Sequence, residues 1–360
     1  MTKILISSCT GVGNMILKTP FIHSLKDNFE DPSIDMVVGF RDKAEFIFEN
    51  ETFINKKISL YKKKNFIEVI KFVLKLRKNN YSYIFLPFDD ELGDLSRIFL
   101  GILSRSVVIT HYLMPTFRHP RALLTFFILF LLPKVKLVPF IAGRHEIDLN
   151  LDLLQSLKDY PICSNRKTSI NIDNNSKILE RFNLVKDNYI IFQLSARSGM
   201  PTPKKWPLQN FVDLFDQIKK SYPQIKIVTI GNQADFDAEI SAFLKLRNDI
   251  TNTAGKTSIL EAASLLSNSA VSIVHDSGAM HIANAVSAKT IALLGPTDIS
   301  RTGPLDKNTT VIISKNDSTN SMFNFKMGEE AVLKKFGQDY CMSSILPDDV
   351  HQAVLSRLQS

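Results

Sequence analysis

The stretch from residue 271 to residue 304 constrains the fold more than any other part of the chain. It opens with a short apolar run, Val271–Val274, that is typical of a buried parallel strand, and it continues into an alanine-rich helix, Ala279–Val286. A second apolar run, Thr290–Leu294, follows the helix directly. Strand, helix and strand in alternation predict an α/β domain built on a parallel sheet.

Each of these two predicted strands ends in a turn with exposed backbone N–H groups. The first turn carries two good N-cap residues, Asp276 and Ser277, and Gly278 lets a ligand approach the backbone closely. The second turn runs from Gly295 to Asp298. Helix N-termini attract anions, and ligands of open α/β sheets bind at the carboxyl ends of the strands. The two turns therefore predict a diphosphate site.

The second half of the chain continues this alternation, which predicts a doubly wound sheet. The predicted strands are Tyr189–Leu194 and Ile225–Ile230, and the predicted helices are Leu208–Lys220, Ala234–Lys245, one opened by a capping box at Ser258 and Glu261, and Pro347–Leu358. A polar, turn-rich segment, Asp159–Lys177, precedes the first of these strands. It is the best candidate for a linker between two domains.

The first half opens with a strand, a glycine loop and a helix. The strand is predicted at Ile4–Ser7 and the helix at Met15–Lys26. The loop is similar to a dinucleotide fingerprint, but Ile16 stands where the third glycine belongs. The second strand, Asp35–Val38, also lacks an acidic residue at its end. The pattern therefore argues against NAD binding.

A carboxylate cluster follows the predicted strand Tyr83–Leu86. Asp89, Asp90 and Glu91 come shortly after this strand, at what should be the carboxyl end of the sheet. Two interpretations stay open, a solvated loop that caps the next helix and a group of catalytic carboxylates.

Composition limits the class of protein. A chain of 360 residues with 44% hydrophobic residues suits two globular domains. Its three cysteines form no C-x-x-C pair, as expected for reduced thiols in a cytosolic protein. The net charge of +8 comes without the aromatic interleaving of a nucleic-acid-binding face, and it fits an anionic membrane surface or a phosphorylated acceptor at least as well. A solvated lysine-rich surface is the plain alternative.

The most hydrophobic run is Ala122–Leu132, and cations flank it on both sides. They are Arg118, Arg121, Lys134 and Lys136. A helix of this length rises only ~17 Å, whereas the hydrocarbon core of a bilayer is ~30 Å thick, so the run does not span a membrane. Two alternatives remain, a helix that lies in the membrane interface and a buried core helix.

Three motifs near the end of the sheet carry a family resemblance. They are Asp276-Ser277-Gly278-Ala279-Met280-His281, Gly295-Pro296-Thr297-Asp298 and Arg301-Thr302-Gly303-Pro304. This set resembles the signature of glycosyltransferase family 9, the heptosyltransferases that build the inner core of bacterial lipopolysaccharide. The resemblance implies the GT-B architecture, an α/β fold with two Rossmann-like doubly wound domains that face a cleft. It implies an acceptor-binding domain at 1–165, a nucleotide-sugar-binding domain at 176–340 and a C-terminal helix at 346–360 that crosses back to the first domain.

The same resemblance implies the chemistry. The expected reaction is inverting, metal-independent transfer of a heptose from a nucleotide diphosphate sugar, with ADP-heptose as the expected donor and no cofactor. The expected acceptor is a glycolipid or oligosaccharide of the lipopolysaccharide core or a related surface glycan. Lys204 and the helix N-termini would stabilise the departing diphosphate in place of a cation. The resemblance also implies a cytoplasmic protein bound peripherally to the inner face of the cytoplasmic membrane, with no nucleic-acid partner.

Further matches place donor and acceptor residues along the chain. Lys204 begins Lys204-Lys205-Trp206-Pro207, which resembles the family's Lys-x-Trp-Pro element, and Gly255-Lys256-Thr257-Ser258 resembles the loop beside the nucleoside. The expected nucleotide-sugar-binding residues are Ser195, Lys204, Asp235, Lys256, Thr257, Asp276, Ser277, Gly278, His281, Thr297 and Asp298. The expected acceptor-binding residues are Gly13, Asn14 and His145.

One position departs from the family pattern. The family has Gly-Asp followed shortly by Thr-Pro, and this chain has Gly13-Asn14 and then Thr19-Pro20. The resemblance implies that the aspartate is the general base on the acceptor hydroxyl, a role that the Asn14 amide cannot fill because it has no basic form. The base would then be another group, with Asp90 preferred over its neighbours Asp89 and Glu91, and with His23 and His145 as further candidates. The alternatives are a catalytically silent nucleotide-sugar-binding protein of the same fold and a GT-B sugar-nucleotide epimerase.

Overall fold

The contacts of the chain divide it into two compact units, Met1–Thr168 and Ser169–Ser360. The computed structural model describes residues 1–8, 10–39, 44–60, 65–88, 93–112, 120–157, 165–172, 177–196, 201–232, 234, 236–247, 249–318 and 327–359. The division falls inside the predicted linker. Each unit has a parallel sheet and a buried apolar core of its own.

The first unit alternates strands and helices. Its strands are β1 (Thr2–Ser8), β2 (Pro32–Val38), β3 (Ile54–Ser59), β4 (Tyr83–Leu86), β5 (Val107–Tyr112) and β6 (Val135–Pro139). Its helices are α1 (Val12–Leu17), α2 (Thr19–Asn28), α3 (Phe66–Arg77), α4 (Gly93–Leu103), α5 (Pro120–Phe130) and α6 (Glu146–Gln155), with a 3-10 helix at Ala44–Phe48. The strands pair in parallel in the order β3-β2-β1-β4-β5-β6.

The second unit repeats this arrangement. Its strands are β7 (Tyr189–Phe192), β8 (Lys226–Thr229), β9 (Ile250–Asn252), β10 (Val271–His275), β11 (Thr290–Leu294) and β12 (Thr309–Ile313). Its helices are α7 (Lys177–Arg181), α8 (Leu208–Ser221), α9 (Ala238–Leu246), α10 (Ile259–Ser267), α11 (Gly278–Ala285), α12 (Ile299–Thr302), α13 (Glu329–Phe336) and α14 (Pro347–Gln359), with a 3-10 helix at Tyr340–Met342. The order of the sheet is β9-β8-β7-β10-β11-β12.

Both sheets therefore have the strand order of a dinucleotide-binding fold, 3-2-1-4-5-6 when the strands are counted within each unit. The order reverses between β1 and β4 in the first unit and between β7 and β10 in the second. Loops that leave the sheet on either side of such a reversal diverge, and ligands bind between them. The prediction of an α/β fold with two Rossmann-like doubly wound domains is confirmed.

The first helical segment differs from its prediction. The sequence predicts one helix over Met15–Lys26, whereas the structure has two helices, α1 and α2, that meet at Lys18. Pro20 has no N–H group with which to bond the Ile16 carbonyl. The hydroxyl of Thr19 donates to that carbonyl at 2.8 Å instead. The break is therefore a consequence of the Thr-Pro pair.

Two helix starts in the second unit follow from their caps. The capping box predicted at the start of α10 is present, with the Ser258 and Glu261 side chains bonded to each other's backbone N–H groups. The sequence also predicts a helix from Ala234, but α9 begins at Ala238. Asp237 is its N-cap, and the Asp237 carboxylate accepts from the Ile240 N–H at 2.9 Å.

The C-terminal helix packs within the second unit. Its main contacts are with α8, β10 and β11, and Val350 and Val354 are fully buried in the core of that unit. This segment corresponds to the C-terminal helix expected at 346–360. The resemblance implied that this helix crosses back to the first domain, but its main contacts belong to the second unit. The domain limits read from the sequence stay predictions.

Helix α5 lies partly on the surface of the first unit. The exposed fractions are 62% for Leu124, 52% for Phe127, 66% for Phe130 and 77% for Leu131 just after the helix. On the other side, Leu129 is 3% exposed, and the ring of Phe126 lies 5.0 Å from that of Tyr112. The hydrophobic run is thus neither wholly core nor wholly surface. No helix within the described ranges is both long enough and apolar enough to cross a membrane.

Candidate active site

The candidate site lies at the carboxyl ends of β7 and β10, where the strand order of the second sheet reverses. The segment after β7 supplies Gln193, Ser195 and, farther along, Lys204. The turn after β10 supplies Asp276 and Ser277. Gln193, Ser195 and Asp276 are all nearly buried, at 5–7% exposed. The structure therefore brings residues from both predicted strand ends together.

An ion pair joins the two sides of the site. The Lys204 Nζ atom lies 2.8 Å from Asp276 Oδ2, and the two side chains are 23% and 5% exposed. Burial acts to raise the pKa of the Asp276 carboxyl, but the charge and hydrogen bond of Lys204, the Thr297 hydroxyl and His281 together hold that pKa below its ordinary value. Asp276 is therefore ionised at neutral pH. It pairs with Lys204 and does not cap α11.

Ser277 caps α11, and Gln193 fixes its orientation. The Gln193 Nε2 atom donates to Ser277 Oγ at 2.8 Å, and Gln193 Oε1 accepts from the backbone N–H of His275 at 3.0 Å. Ser277 Oγ also accepts from the Ala279 N–H at 3.3 Å. With these two bonds accepted, the hydroxyl hydrogen of Ser277 is left to be donated. Gln193 Oε1 lies 3.1 Å from Ser277 Oγ and can accept this hydrogen. An oxygen of a bound anion would compete for the same hydrogen.

The first turn of α11 faces this group of polar side chains. Gly278 is the first residue of the helix, and His281 lies one turn in, at 5% exposed. The charge of His281 acts to lower the pKa of Asp276, so the histidine lies near the ion pair. A helix N-terminus favours a negatively charged ligand through its N–H groups and its dipole.

The turn after β11 separates two residues that the sequence analysis grouped together. Thr297 is buried beside Asp276 and lowers the pKa of Asp276, although its hydroxyl makes no hydrogen bond of ordinary geometry. Asp298 is the N-cap of α12, and its Oδ1 atom accepts from the N–H and the hydroxyl of Ser300 at 2.9 and 2.7 Å. Thr297 thus joins the Lys204–Asp276 group, whereas these contacts of Asp298 serve the next helix.

Trp206 anchors the segment that carries Lys204. Its side chain is fully buried, its ring meets Phe211 edge to face at 4.8 Å, and its Nε1 atom donates to the Ile345 carbonyl at 2.9 Å. Its backbone N–H donates to His275 Nε2 at 2.9 Å. Burial lowers the pKa of His275 to about 3, and the charge of Lys205 acts in the same direction. The imidazole is therefore neutral and able to accept this hydrogen bond.

The lysine next to Lys204 reaches a different loop. The Lys205 Nζ atom lies 2.7 Å from Asp237 Oδ2, at the start of α9. Although burial acts to raise the pKa of Asp237, the Ile240 N–H and Lys205 lower it below its ordinary value. Asp235 and Asp237 have D-x-D spacing. Asp237 is held by the helix cap and by Lys205. Asp235, one of the expected nucleotide-sugar-binding residues, lies outside the described residues. Consecutive lysines thus bind carboxylates on two different loops.

The loop after β9, expected beside the nucleoside, has contacts of its own. The Lys256 Nζ atom donates to the Asn252 carbonyl at 3.0 Å, and Arg181 of α7 donates to the Lys256 carbonyl. Arg181 also forms an ion pair with Glu261 at 2.8 Å. Among the contacts of the described residues, none joins Lys256 or Thr257 to the Lys204–Asp276 pair. The expected role of this loop therefore stays a prediction.

The corresponding edge of the first sheet carries Gly13 and Asn14, both partly buried in the first turn of α1. Strand β4 pairs with β1, so the loop after β4 starts beside the end of β1. Its carboxylates, Asp89, Asp90 and Glu91, fall outside the part of the chain that the structure describes.

His145 has a structural position at the start of α6. Its Nδ1 atom accepts from the Ile147 N–H at 3.2 Å, and the residue is 6% exposed. It therefore acts as the N-cap of this helix, and its contact with an acceptor stays a prediction.

Sequence reasoning assigned no role to three residues of this site, Gln193, Lys205 and His275. Each acts through a contact with a residue far away in the chain, so no local pattern marks it. The available signal was position alone, since Gln193 and His275 stand at the ends of the two strands that flank the reversal.

Comparison with known proteins places this geometry in a family. The family model described as glycosyltransferase family 9 (heptosyltransferase) matches residues 117–330, which is more than half of the chain. Lipopolysaccharide heptosyltransferase 3 of Escherichia coli (strain K12) is 28% identical over 297 residues, covering 79% of this chain and 80% of that protein.

Solved structures share the fold over the whole chain. A family 9 glycosyl transferase from Veillonella parvula has a TM-score of 0.73 at 20% identity, covering 99% of this chain and 97% of that one. The ADP-heptose lps heptosyltransferase II of E. coli has a TM-score of 0.69 at 20% identity, covering 100% and 99%. With the motifs, the strand order and the family match in agreement, this chain belongs to glycosyltransferase family 9 and is a glycosyltransferase with the GT-B fold.

Proposed function

We propose that the protein transfers a heptose from ADP-heptose to an acceptor of the lipopolysaccharide core, with inversion at the anomeric carbon and without a metal ion. The observation that carries the proposal is the nearly buried Lys204–Asp276 pair beside the N-terminus of α11. Relatives that are named for heptose transfer and for ADP-heptose support the same choice of donor.

In the proposed complex, the donor diphosphate lies at the start of α11. It accepts from the Ser277 hydroxyl and from N–H groups of the first turn, where the helix dipole favours an anion. Asp276 alone would repel the diphosphate, so the Lys204 ammonium must lie between the two negative groups. The ion pair already present holds Lys204 in that place, which removes part of the cost of ordering a long side chain.

The same groups suit the departure of the nucleoside diphosphate. Negative charge grows on the leaving phosphate oxygen as the glycosidic bond breaks, and donors that are already oriented stabilise it without reorganisation. Lys204 and the start of α11 would take the neutralising role that a divalent cation has in other transferases. Transfer should therefore persist in excess chelator. Loss of activity that added Mg²⁺ restores would contradict the metal-independent mechanism.

The acceptor hydroxyl needs a base other than Asn14. A positioned general base typically contributes 10²–10⁴-fold, and an amide has no basic form. Because β1 pairs with β4, the loop after β4 starts beside the end of β1, and Asn14 follows that end of β1 in the first turn of α1. Asp90 in that loop is the first candidate, with Asp89 and Glu91 as its neighbours.

Peripheral attachment to an anionic membrane is a further part of the proposal. The exposed apolar side of α5 presents Leu124, Phe127 and Phe130, and two exposed cations, Lys134 and Lys136, follow it. Helices with an apolar face and cations at their border lie in the membrane interface, and an anionic leaflet attracts such cations. This surface would hold the first unit at the inner face of the cytoplasmic membrane, close to a lipid-linked acceptor.

A second candidate function is that of a nucleotide-sugar-binding protein that no longer transfers the sugar. Only Asn14 favours it. A direct assay separates the candidates. The transferase should release ADP from ADP-heptose only when a lipopolysaccharide-core acceptor that lacks the heptose is present. A silent binding protein would bind ADP-heptose and release nothing, and an epimerase would convert the donor without any acceptor.

A further inference from the structure

We infer that His275 is a positioning residue for donor binding: through the backbone N–H of Trp206 it holds the segment that places Lys204 against the start of α11. Because this role assumes that Lys204 meets the donor diphosphate, it rests on the proposed function. His275 would not touch the donor itself, and it would act only through the position of Lys204.

Adjacent residues at the end of β10 hold this segment at two points. His275 Nε2 accepts from the Trp206 N–H at 2.9 Å, and Asp276 Oδ2 pairs with Lys204 Nζ at 2.8 Å. A segment that is fixed at one point is free to pivot about it, and the flexible side chain of Lys204 would follow. Fixed at both points, the segment keeps the ammonium in register with Ser277 and the first turn of α11.

The other anchors of Trp206 do not serve this purpose. The indole N–H bonds the Ile345 carbonyl, and the ring packs on Phe211 of α8. These contacts hold the side chain in the core. Among the contacts of the described residues, the bond to His275 is the one that ties the Trp206 backbone to β10, the strand that leads directly into Asp276.

The chemistry of the imidazole fits an acceptor role. His275 is fully buried, and its neutral form accepts at Nε2 while Nδ1 carries the hydrogen. The charged groups that act on it are Lys205, which disfavours protonation, and Asp276, which favours it. An apolar side chain would fill the same space beside Phe211 but would leave the Trp206 N–H unbonded in the core, which costs more than the bond itself contributes.

Trp206 is the single tryptophan of the chain and reports on this contact directly. Two replacements of similar shape separate the hydrogen bond from packing, because His275→Gln keeps an acceptor oxygen and His275→Met removes it. We expect His275→Met to bind ADP about tenfold more weakly than His275→Gln by calorimetry, and to let acrylamide quench Trp206 fluorescence more strongly. Val271→Ala, at the other end of the same buried strand, is the matched control and should change neither reading.

A double-mutant cycle with Lys204→Ala shows whether His275 acts through the lysine. In the Lys204→Ala background, the Gln and Met variants should differ less than about twofold in ADP affinity, because the group that they position is gone. A full tenfold difference in that background would overturn the inference, and so would equal affinities of the two variants in the wild-type background.

Hydrogen exchange tests the contact without any variant, should His275→Met fail to fold. The Trp206 amide of the wild-type protein should exchange slowly, and ADP should slow it further. Rapid exchange of this amide would overturn the inference. A wild-type protein that binds no ADP would instead overturn the proposed function, and the quenching comparison would still decide whether His275 holds the segment.

Discussion

The two sheets have the same strand order, yet their carboxyl edges differ in chemistry at the point where that order reverses. In the second unit, side chains from the segments that follow two neighbouring strands form a nearly buried ion pair, Lys204 with Asp276. In the first unit, the first turn of α1, just after β1, carries a glycine and a partly buried amide, Gly13 and Asn14. A diphosphate needs a fixed counter-charge, whereas a sugar hydroxyl needs hydrogen bonds and a base. One topology can therefore serve two substrates when the side chains at its switch point differ.

The largest expected effect concerns the carboxyl edge of the first sheet, where Asn14 stands in place of the family's general base. Replacing Asp90 by Asn should lower the turnover number at least ~100-fold, because it would remove the group that takes the acceptor proton. The affinity for ADP-heptose should not change, because the proposed donor-binding groups belong to the second unit. Steady-state transfer assays and calorimetry measure the two quantities. Asp89→Asn and Glu91→Gln are the matched neighbours, and full activity in all three variants would place the base elsewhere.

The substitution Asn14→Asp sharpens the same test. It restores the residue that the family pattern has at this position. Should the wild-type protein be inactive and Asn14→Asp alone transfer heptose, the protein is a silent nucleotide-sugar-binding protein and the two edges no longer both serve catalysis.

The next largest effect concerns the counter-charge at the second edge. Lys204→Ala should weaken ADP binding by ~1.5–3 kcal/mol, which is about 10- to 150-fold, through the loss of a charge-assisted contact. Calorimetry measures it. Lys220→Ala, which removes an exposed lysine of α8, is the control for net charge and should bind as the wild type does. Unchanged ADP affinity in a folded Lys204→Ala protein would show that Lys204 serves only Asp276.

A smaller effect concerns sensitivity to acid, which the buried, neutral His275 gives to the second unit. Its pKa is about 3 in the folded protein and ~6.5 when unfolded, so the unfolded chain binds the extra proton between these values. Above pH ~6.5, His275 is neutral in both the folded and the unfolded protein and does not reduce the free energy of unfolding. Below pH ~6.5, the free energy of unfolding should fall by at most ~1.4 kcal/mol per pH unit. Asp276, with its lowered pKa, would add a loss only at more acid pH.

Urea unfolding between pH 5 and pH 7 measures this slope. His275→Gln should show a flatter slope than the wild-type protein. Equal slopes would mean that the ring of His275 is not held in its neutral form.

The smallest effect concerns the surface of the first unit. Phe127→Ser combined with Phe130→Ser should reduce binding to vesicles with anionic lipid several-fold in a sedimentation assay, and salt should release the wild type because surface charge is screened within ~8 Å at 0.15 M. Phe126 is kept because it packs on Tyr112. Phe66→Ser removes a phenylalanine of α3 with a similar exposure, 56%, and should leave binding intact. Unfolding of the double variant would assign these side chains to the core.

Elements that depend on local sequence were predicted well. The strands Val271–His275 and Thr290–Leu294 are apolar runs, and the capping box at Ser258 is a local pattern. The break at Pro20 was missed, because one helix was predicted over Met15–Lys26, although a proline cannot continue the hydrogen bonds of a helix.

The contacts that build the site were not predictable in the same way. Lys204 and Asp276 are 72 residues apart, Trp206 and His275 are 69 apart, and Gln193 and Ser277 are 84 apart. Such pairs form because parallel strands bring distant loops to one edge, so no window of sequence contains both partners. The resemblance supplied residue identities, but it could not show that Asp276 binds Lys204 rather than capping α11.

The division of the contacts at Thr168 affects how substrates would show themselves in a melting experiment. Each unit buries a core of its own, so heating is not expected to unfold the chain in one all-or-none step. A ligand at 100 times its Kd stabilises the state that binds it by ~2.7 kcal/mol. The donor nucleotide would therefore raise the midpoint temperature of one unfolding step, and the acceptor would raise that of the other. The temperature interval between the two steps then tells which substrate is bound.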